Sequence, residues 1–176
     1  TIADLGHDVH ILERESELGG RARGMHSTLE GNDVQALLKK IVQEVESRPN
    51  IHVYKGAEVV GMEGHVGNFD VKFTGKGGAK SSLEVGSIVL ATGAEGFKTR
   101  EYLYGQNENV ITQDEFENKL VRGDLEGVKS VAMIQCVGSR DETHSYCNRF
   151  CCSLALMNAL RIKERKPDVD VVVFYR

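Results

Sequence analysis

Between Asn32 and Arg48 the apolar residues Val34, Leu37, Leu38, Ile41, Val42 and Val45 recur at the three-and-four spacing of one helical face. Asn32 is an N-cap residue type with Gln35 three positions on, and Pro49 cannot continue a helix, so the pattern predicts a helix over 32–48. Upstream, Leu5-Gly6-His7-Asp8 followed by Val9-His10-Ile11-Leu12-Glu13 predicts a helix end, a glycine turn and a short buried strand closing on an acid. From 51 to 91 short β-rich runs alternate with glycine turns, predicting strands over 51–54, 57–62, 68–73, 81–85 and 87–91: a small β-meander returning to a buried strand. Gly75-Lys76-Gly77-Gly78 lacks the Lys-Ser/Thr and the following helix of a phosphate loop, so it predicts a hairpin turn.

Further on, Thr112-Gln113-Asp114-Glu115 is a capping box opening a helix to about Val121. A strand over 130–135, a loop to Phe150, a helix from Cys151 to about Lys163 and a strand over 170–175 read as the opening of a second βαβ unit. The patterning therefore predicts an α/β chain of two nucleotide-fold pieces, joined near residues 123–129.

Composition narrows the class. The 176 residues carry a formal charge of −4 with Lys and Arg scattered, which favours neither nucleic acid nor an acidic membrane surface as partner. No apolar run is long enough to span a bilayer, and the first residues lack the features of a signal peptide, so a cytoplasmic location is expected. With no Met at position 1 and an opening that reads as the end of a helix, the chain is expected to be an internal fragment.

Three short segments suggest a dinucleotide cofactor. Glu13 ends the second strand of a βαβ pattern, where an acid can accept hydrogen bonds from a ribose hydroxyl; taken alone, an acid ending a strand is more often just solvated. In Leu18-Gly19-Gly20-Arg21-Ala22 the paired glycines permit close backbone approach to a pyrophosphate that Arg21 can face, against the plainer reading of a surface turn. Ile88 to Ala94 is a buried-strand pattern ending in Thr92-Gly93, where small residues let a cofactor lie against the backbone.

All four cysteines fall within 17 positions, in the pattern Cys136-x10-Cys147-x3-Cys151-Cys152. Cys147 and Cys151, four apart at the mouth of a helix, are spaced to share a face, and the helix dipole there favours an anion. Four convergent thiolates suit an iron–sulfur cluster or zinc. Adjacent Cys-Cys does not match paired zinc knuckles, disulfides are disfavoured without a secretion signal, and a Cys-x-x-Cys dithiol is absent. Inert buried thiols are the remaining alternative. Arg140, His144 and Arg149 are candidates to tune a cluster or are simply solvated, and Asp141 reads as a loop or capping residue.

In order and separation, the Glu13, Gly19-Gly20-Arg21 and Ala91-Thr92-Gly93 segments resemble the FAD domain of the two-dinucleotide-fold flavoproteins, which include thioredoxin reductase. The resemblance implies that Glu13, with Arg14 beside it, meets the adenosine ribose, that Gly19, Gly20 and Arg21 lie along the cofactor, that Glu58 and Val59 sit beside the adenine, and that Ala91, Thr92 and Gly93 close the domain. It also implies a Gly-x-Gly-x-x-Gly loop ahead of residue 1, so that the fragment alone is expected to bind FAD poorly. The cysteines occupy the turn where the second unit of such proteins holds NAD(P)H, which argues against direct hydride exchange there.

The segments Cys136-Val137-Gly138-Ser139-Arg140-Asp141 and Tyr146-Cys147-Asn148-Arg149-Phe150-Cys151-Cys152, with Gly64-His65-Val66-Gly67-Asn68-Phe69 and Glu101-Tyr102-Leu103-Tyr104-Gly105, resemble the A subunit of heterodisulfide reductase and its bacterial relatives over nearly the whole chain. The methanogen type carries further cysteines after the Gly-Gly-Arg segment, whereas residues 25–45 here have none. This resemblance implies a partial two-dinucleotide-fold (Rossmann-like) flavoprotein with a small β-meander: residues 1–122 a partial FAD domain, residues 123–176 the start of a second Rossmann-like unit. It implies a [4Fe–4S] cluster on Cys136, Cys147, Cys151 and Cys152, electron transfer between FAD and that cluster, and partner redox subunits of a heterodisulfide reductase-like complex. The alternatives are an NAD(P)H-dependent flavoprotein disulfide reductase, whose second glycine loop and dithiol are not visible, and a zinc-stabilised binding or scaffold domain.

Overall fold

The computed structural model describes residues 1–143, 145–147 and 149–175. The chain is α/β and divides into two compact units, Thr1–Arg23 with Ala36–Ala94, and Gly24–Gln35 with Glu95–Arg176.

In the first unit β1 (Val9–Glu13) and β2 (Ile51–Lys55) pair in parallel, Val9 opposite Ile51 and Glu13 opposite Lys55, with the chain returning through α1 (Val34–Ser47). The sequence predicts Val9–Glu13 as the second strand of a βαβ unit; here it is also the first strand of a further one. Helix α1 opens at Val34, later than the predicted Asn32, because the Val34 N–H donates to the His26 carbonyl (3.2 Å) across a bridge between Ser27 and Asp33. The Asn32 amide instead donates to Thr28 Oγ1 (3.3 Å). Leu38, Val42 and Val45 are half-buried, whereas Leu37 and Ile41 are 57% and 48% exposed, so only part of the apolar face is covered.

The meander is a three-stranded antiparallel sheet of β3 (Glu58–His65), β4 (Asn68–Thr74) and β5 (Lys80–Val85), with a bulge between Val59 and Gly61. Gly75 to Ala79 turns β4 into β5, so the glycine-rich stretch is the hairpin expected of it. Phe73, Val71 and Ala57 are buried, and Phe73 meets Tyr54 of β2 edge-on at 5.2 Å. One expectation fails here: residues 87–100 form neither helix nor strand, and Val89 and Leu90 are 72% and 83% exposed. A buried strand needs a ladder partner, and among the described residues the sheet containing β1 holds only β2.

In the second unit α2 (Gln113–Arg122) starts on the predicted capping box: Thr112 Oγ1 accepts from the Glu115 N–H (3.2 Å) and Glu115 Oε2 accepts from the Thr112 N–H (2.7 Å). Gly123, at φ 76°, ends it. Strands β6 (Ser130–Ile134) and β7 (Asp170–Phe174) pair in parallel through α3 (Cys151–Arg165), giving the second βαβ piece. Phe116, Leu120, Leu125, Met133, Ala155, Ile162 and Val169 form one core between α2, α3 and the sheet. No helix among the described residues is long and apolar enough to cross a membrane.

Candidate cofactor and cysteine sites

The flavin-side candidates lie in the first unit. Glu13 ends β1, and its Oε1 accepts from the Glu15 N–H (2.9 Å). Its carbonyl accepts from the Ala57 N–H (2.9 Å), which brings the start of β3, with Glu58 and Val59 both exposed, next to the end of β1. Arg14 is exposed and contacts Glu15, Nε to Oε1 3.5 Å. Gly19 and Gly20 have φ of 115° and 47°, and a Cβ on Gly19 would stand 2.9 Å from Leu38 Cδ1 of α1, whereas nothing lies within 4 Å of one on Gly20. The paired glycines thus pack closely on one side and are open on the other. Arg21 is exposed in the short turn that follows. Ala91, Thr92 and Gly93 are exposed in the segment that does not form its strand. The fold therefore assembles Glu13, Glu58 and Val59 and leaves 91–93 on an irregular stretch.

The cysteines lie in the second unit, on the connection from β6 to α3. Cys136 is half-buried with a left-handed backbone (φ 63°), turning the chain out of the strand. Cys151, also half-buried, is the first residue of α3, while Cys147 and Cys152 are exposed. Because α3 opens at Cys151, Cys147 lies in the loop rather than on a shared helix face. Cys147 Sγ accepts from the Arg149 N–H (3.3 Å), and Arg149 is itself left-handed (φ 59°). None of the four cysteines is joined in a disulfide, and no group of three or more His, Cys, Asp or Glu among the described residues is drawn together as a metal-binding cluster. Asp141 Oδ1 accepts from the Thr143 N–H (2.8 Å) and hydroxyl (2.7 Å), the loop role expected of it. Arg140 is exposed; His144 lies outside the described residues.

Two features were invisible in the spacing. Gln135 is buried, and its Nε2 donates to the Cys151 carbonyl (3.0 Å) while its backbone N–H donates to the Phe174 carbonyl (2.9 Å). A Cβ on Gly138 would stand 2.4 Å from Phe97 Cε1, so the edge of this largely exposed ring lies against the turn after Cys136. A cavity of about 170 Å³ opens at the C-terminal ends of β6 and β7, lined by Tyr102, Gln135, Cys136, Gly138, Phe174 and Tyr175 among others. Cysteine is the residue type an iron–sulfur cluster takes, and the four here are outside any disulfide, but among the described residues they do not converge on one point. Gly19 and Gly20 both have positive φ, six and seven residues after the acid that ends β1.

No protein-family model matches the chain. It is 28% identical, over 266 aligned positions, to the second of two iron–sulfur A subunits of CoB–CoM heterodisulfide reductase from Methanopyrus kandleri, covering 99% of this chain and 40% of that protein. It is 26% identical to the A subunit of ferredoxin:CoB–CoM heterodisulfide reductase from Methanosarcina mazei, covering 99% of this chain and 34% of that protein. Over 109 positions identity reaches 40% with the A subunit of H(2):CoB–CoM heterodisulfide,ferredoxin reductase from Methanothermobacter thermautotrophicus, covering 53% of this chain and 16% of that protein. The 266-position alignment exceeds the 176 residues present, so the relative carries segments that this chain lacks. Among solved structures, bacillithiol disulfide reductase Bdr from Bacillus cereus superposes with a TM-score of 0.52 at 12% identity, covering 99% of this chain and 64% of that one, a likeness of fold. Along 99% of its length the chain is a distant homologue of the A subunit of heterodisulfide reductase, and it spans two fifths or less of these relatives.

Proposed function

We propose that the chain is part of an electron-transfer oxidoreductase subunit of the heterodisulfide reductase A type, with residues 1–122 contributing to an FAD domain and residues 123–176 carrying a [4Fe–4S] site. The observation that carries the proposal is the β6–α3 connection: four cysteines outside any disulfide on one loop and the helix it feeds, in a chain homologous along its length to a protein named as an iron–sulfur subunit. When bound, the two groups supply exchange of one or two electrons; the protein supplies their placement and surroundings.

In this reading Glu13, Arg14, Gly19, Gly20 and Arg21 hold the dinucleotide, Glu58 and Val59 border its adenine, and Ala91, Thr92 and Gly93 line it. Cys136, Cys147, Cys151 and Cys152 hold the iron. The Arg149 N–H, already given to Cys147 Sγ, stabilises thiolate charge there and so raises the tendency of the site to accept an electron. Further redox subunits are the partners, and the cytoplasm is the compartment.

The test is iron, sulfide and zinc analysis of the intact protein purified without oxygen, repeated after Cys147→Ser. About four irons and four sulfides lost in the variant support the proposal. Stoichiometric zinc without iron sinks it and leaves a zinc-stabilised scaffold.

A further inference from the structure

The two half-buried cysteines sit on either side of one buried amide. Gln135 is 5% exposed and directly precedes Cys136. Its backbone N–H extends the β6–β7 ladder one step, to the Phe174 carbonyl (2.9 Å), so this main chain is fixed by the sheet. Its side chain crosses to the first residue of α3 and meets the Cys151 carbonyl at 3.0 Å. A carbonyl only accepts, so the group facing it is the amide NH2 rather than the amide oxygen. A single residue therefore ties the end of the strand leading into Cys136 to the start of the helix bearing Cys151. Cys147 and Cys152, by contrast, are exposed.

We infer that Gln135 is a positioning residue for the cysteine site, tying the backbones that carry Cys136 and Cys151 to one another while Cys147 and Cys152 remain exposed. The inference rests on the cluster reading above. Backbones tied in this way lower the ordering cost of binding, because less main chain has to be fixed on the way to the bound state. Gln suits this role because it is long enough to span strand end and helix start, uncharged for a buried position, and able to donate. A merely space-filling residue at 135 would leave the Cys151 carbonyl without this donor and free the first turn of α3 from the strand.

The test uses the intact protein with Gln135→Met, which keeps the length and apolar bulk but cannot donate. Gln135→Asn, one methylene short, is the fallback should the first variant not fold. Two readouts are taken: the rate at which a chelator removes iron, with the electron paramagnetic resonance signature of the reduced site, and hydrogen exchange of the Leu154 and Ala155 amides. Loss of the bond is expected to accelerate both rates roughly fivefold, the factor carried by one neutral hydrogen bond, and to shift the signature. Thr112→Ala, which weakens the cap of α2 and leaves the Gln135–Cys151 bond in place, is the control and leaves iron release unchanged. Wild-type rates and signature in the Gln135 variants overturn the inference, as does faster exchange with unchanged iron release. A wild-type protein without iron sinks the cluster reading instead, and unchanged exchange would then remove the clamp as well.

Discussion

Arg161 of α3 reaches Glu117 of α2 with Nη1 3.2 Å from Oε1, and the carboxylate is completely buried. The same oxygen accepts from the His26 N–H (2.9 Å), and Arg161 also bonds Ser27 Oγ, so the pair ties residues 26 and 27 to the two helices. Glu117 Oε2 and Asn158 Oδ1 are buried without a partner among the described residues. Removing the cation from a buried carboxylate leaves an uncompensated charge, so Arg161→Met is expected to cost about 3–5 kcal/mol. Replacing both members with apolar residues costs less, leaving the His26 N–H without its acceptor but no buried charge, and the difference between the two urea midpoints measures it. Equal losses in the single and double variants would refute the pairing argument.

The capping box of α2 gives a pH-dependent prediction. The Thr112 N–H donating to Glu115 holds that carboxyl below the usual glutamate value, aided by the Thr112 and Tyr104 hydroxyls; correspondingly, Glu115 pushes the Tyr104 phenol up. A lowered folded-state value means the contribution is complete above the unfolded glutamate pKa, about 4.3, and is lost as pH falls through the lowered value. Urea midpoints measured at neutral pH and in acid should converge for wild type and Glu115→Gln in acid and differ at neutral pH. Thr112→Ala removes the other half of the box, at about 1 kcal/mol at neutral pH.

Gly138 and Phe97 make a separable test. Alanine at 138 meets a left-handed backbone (φ 61°), costing about 1–2 kcal/mol, and a clash with the Phe97 ring, which at 61% exposure can swing aside and so costs less than the about 1–3 kcal/mol of core overpacking. Trimming the ring in a Gly138→Ala, Phe97→Leu double variant removes only the second cost. A double-mutant cycle in thermal unfolding should show that recovery, and strict additivity would mean the contact is not made.

At Gly19 the backbone (φ 115°) is one that alanine seldom adopts, while the crowding comes from Leu38, a flexible side chain. Gly19→Ala is therefore expected to cost stability through the backbone and, on the proposed function, to reduce flavin bound per protein in the intact molecule. Flavin absorbance against protein concentration measures this. Full flavin content with a stable fold would remove Gly19 from the cofactor's path.

Much of this was legible along the chain. The three-and-four spacing of α1, the capping box at Thr112 and the short β-branched runs each encode a local preference, and local preferences survive into the fold. The cysteine loop was equally plain, because clustering of a rare residue is a property of sequence. What failed was the strand over 87–91: its residues suit a buried strand, but a strand exists only with a partner, and among the described residues β1 is paired by β2 alone. The start of α1 shifted for a similar reason, its first N–H being met by His26 rather than by an adjacent side chain.

By itself, then, the sequence determined the order and type of most elements, the hairpin at Gly75–Ala79, and the positions of Glu13, Gly19, Gly20 and the four cysteines along them. Only the tertiary structure decided that Gln135 bridges to Cys151, that the Phe97 ring lies against Gly138, and that Glu117 is buried against Arg161. Those are contacts between residues 16, 41 and 44 positions apart, and no periodicity or capping rule reaches so far. Local sequence sets what each segment prefers to become. Which side chains then face one another follows from the packing of α2, α3 and the β6–β7 sheet around one core.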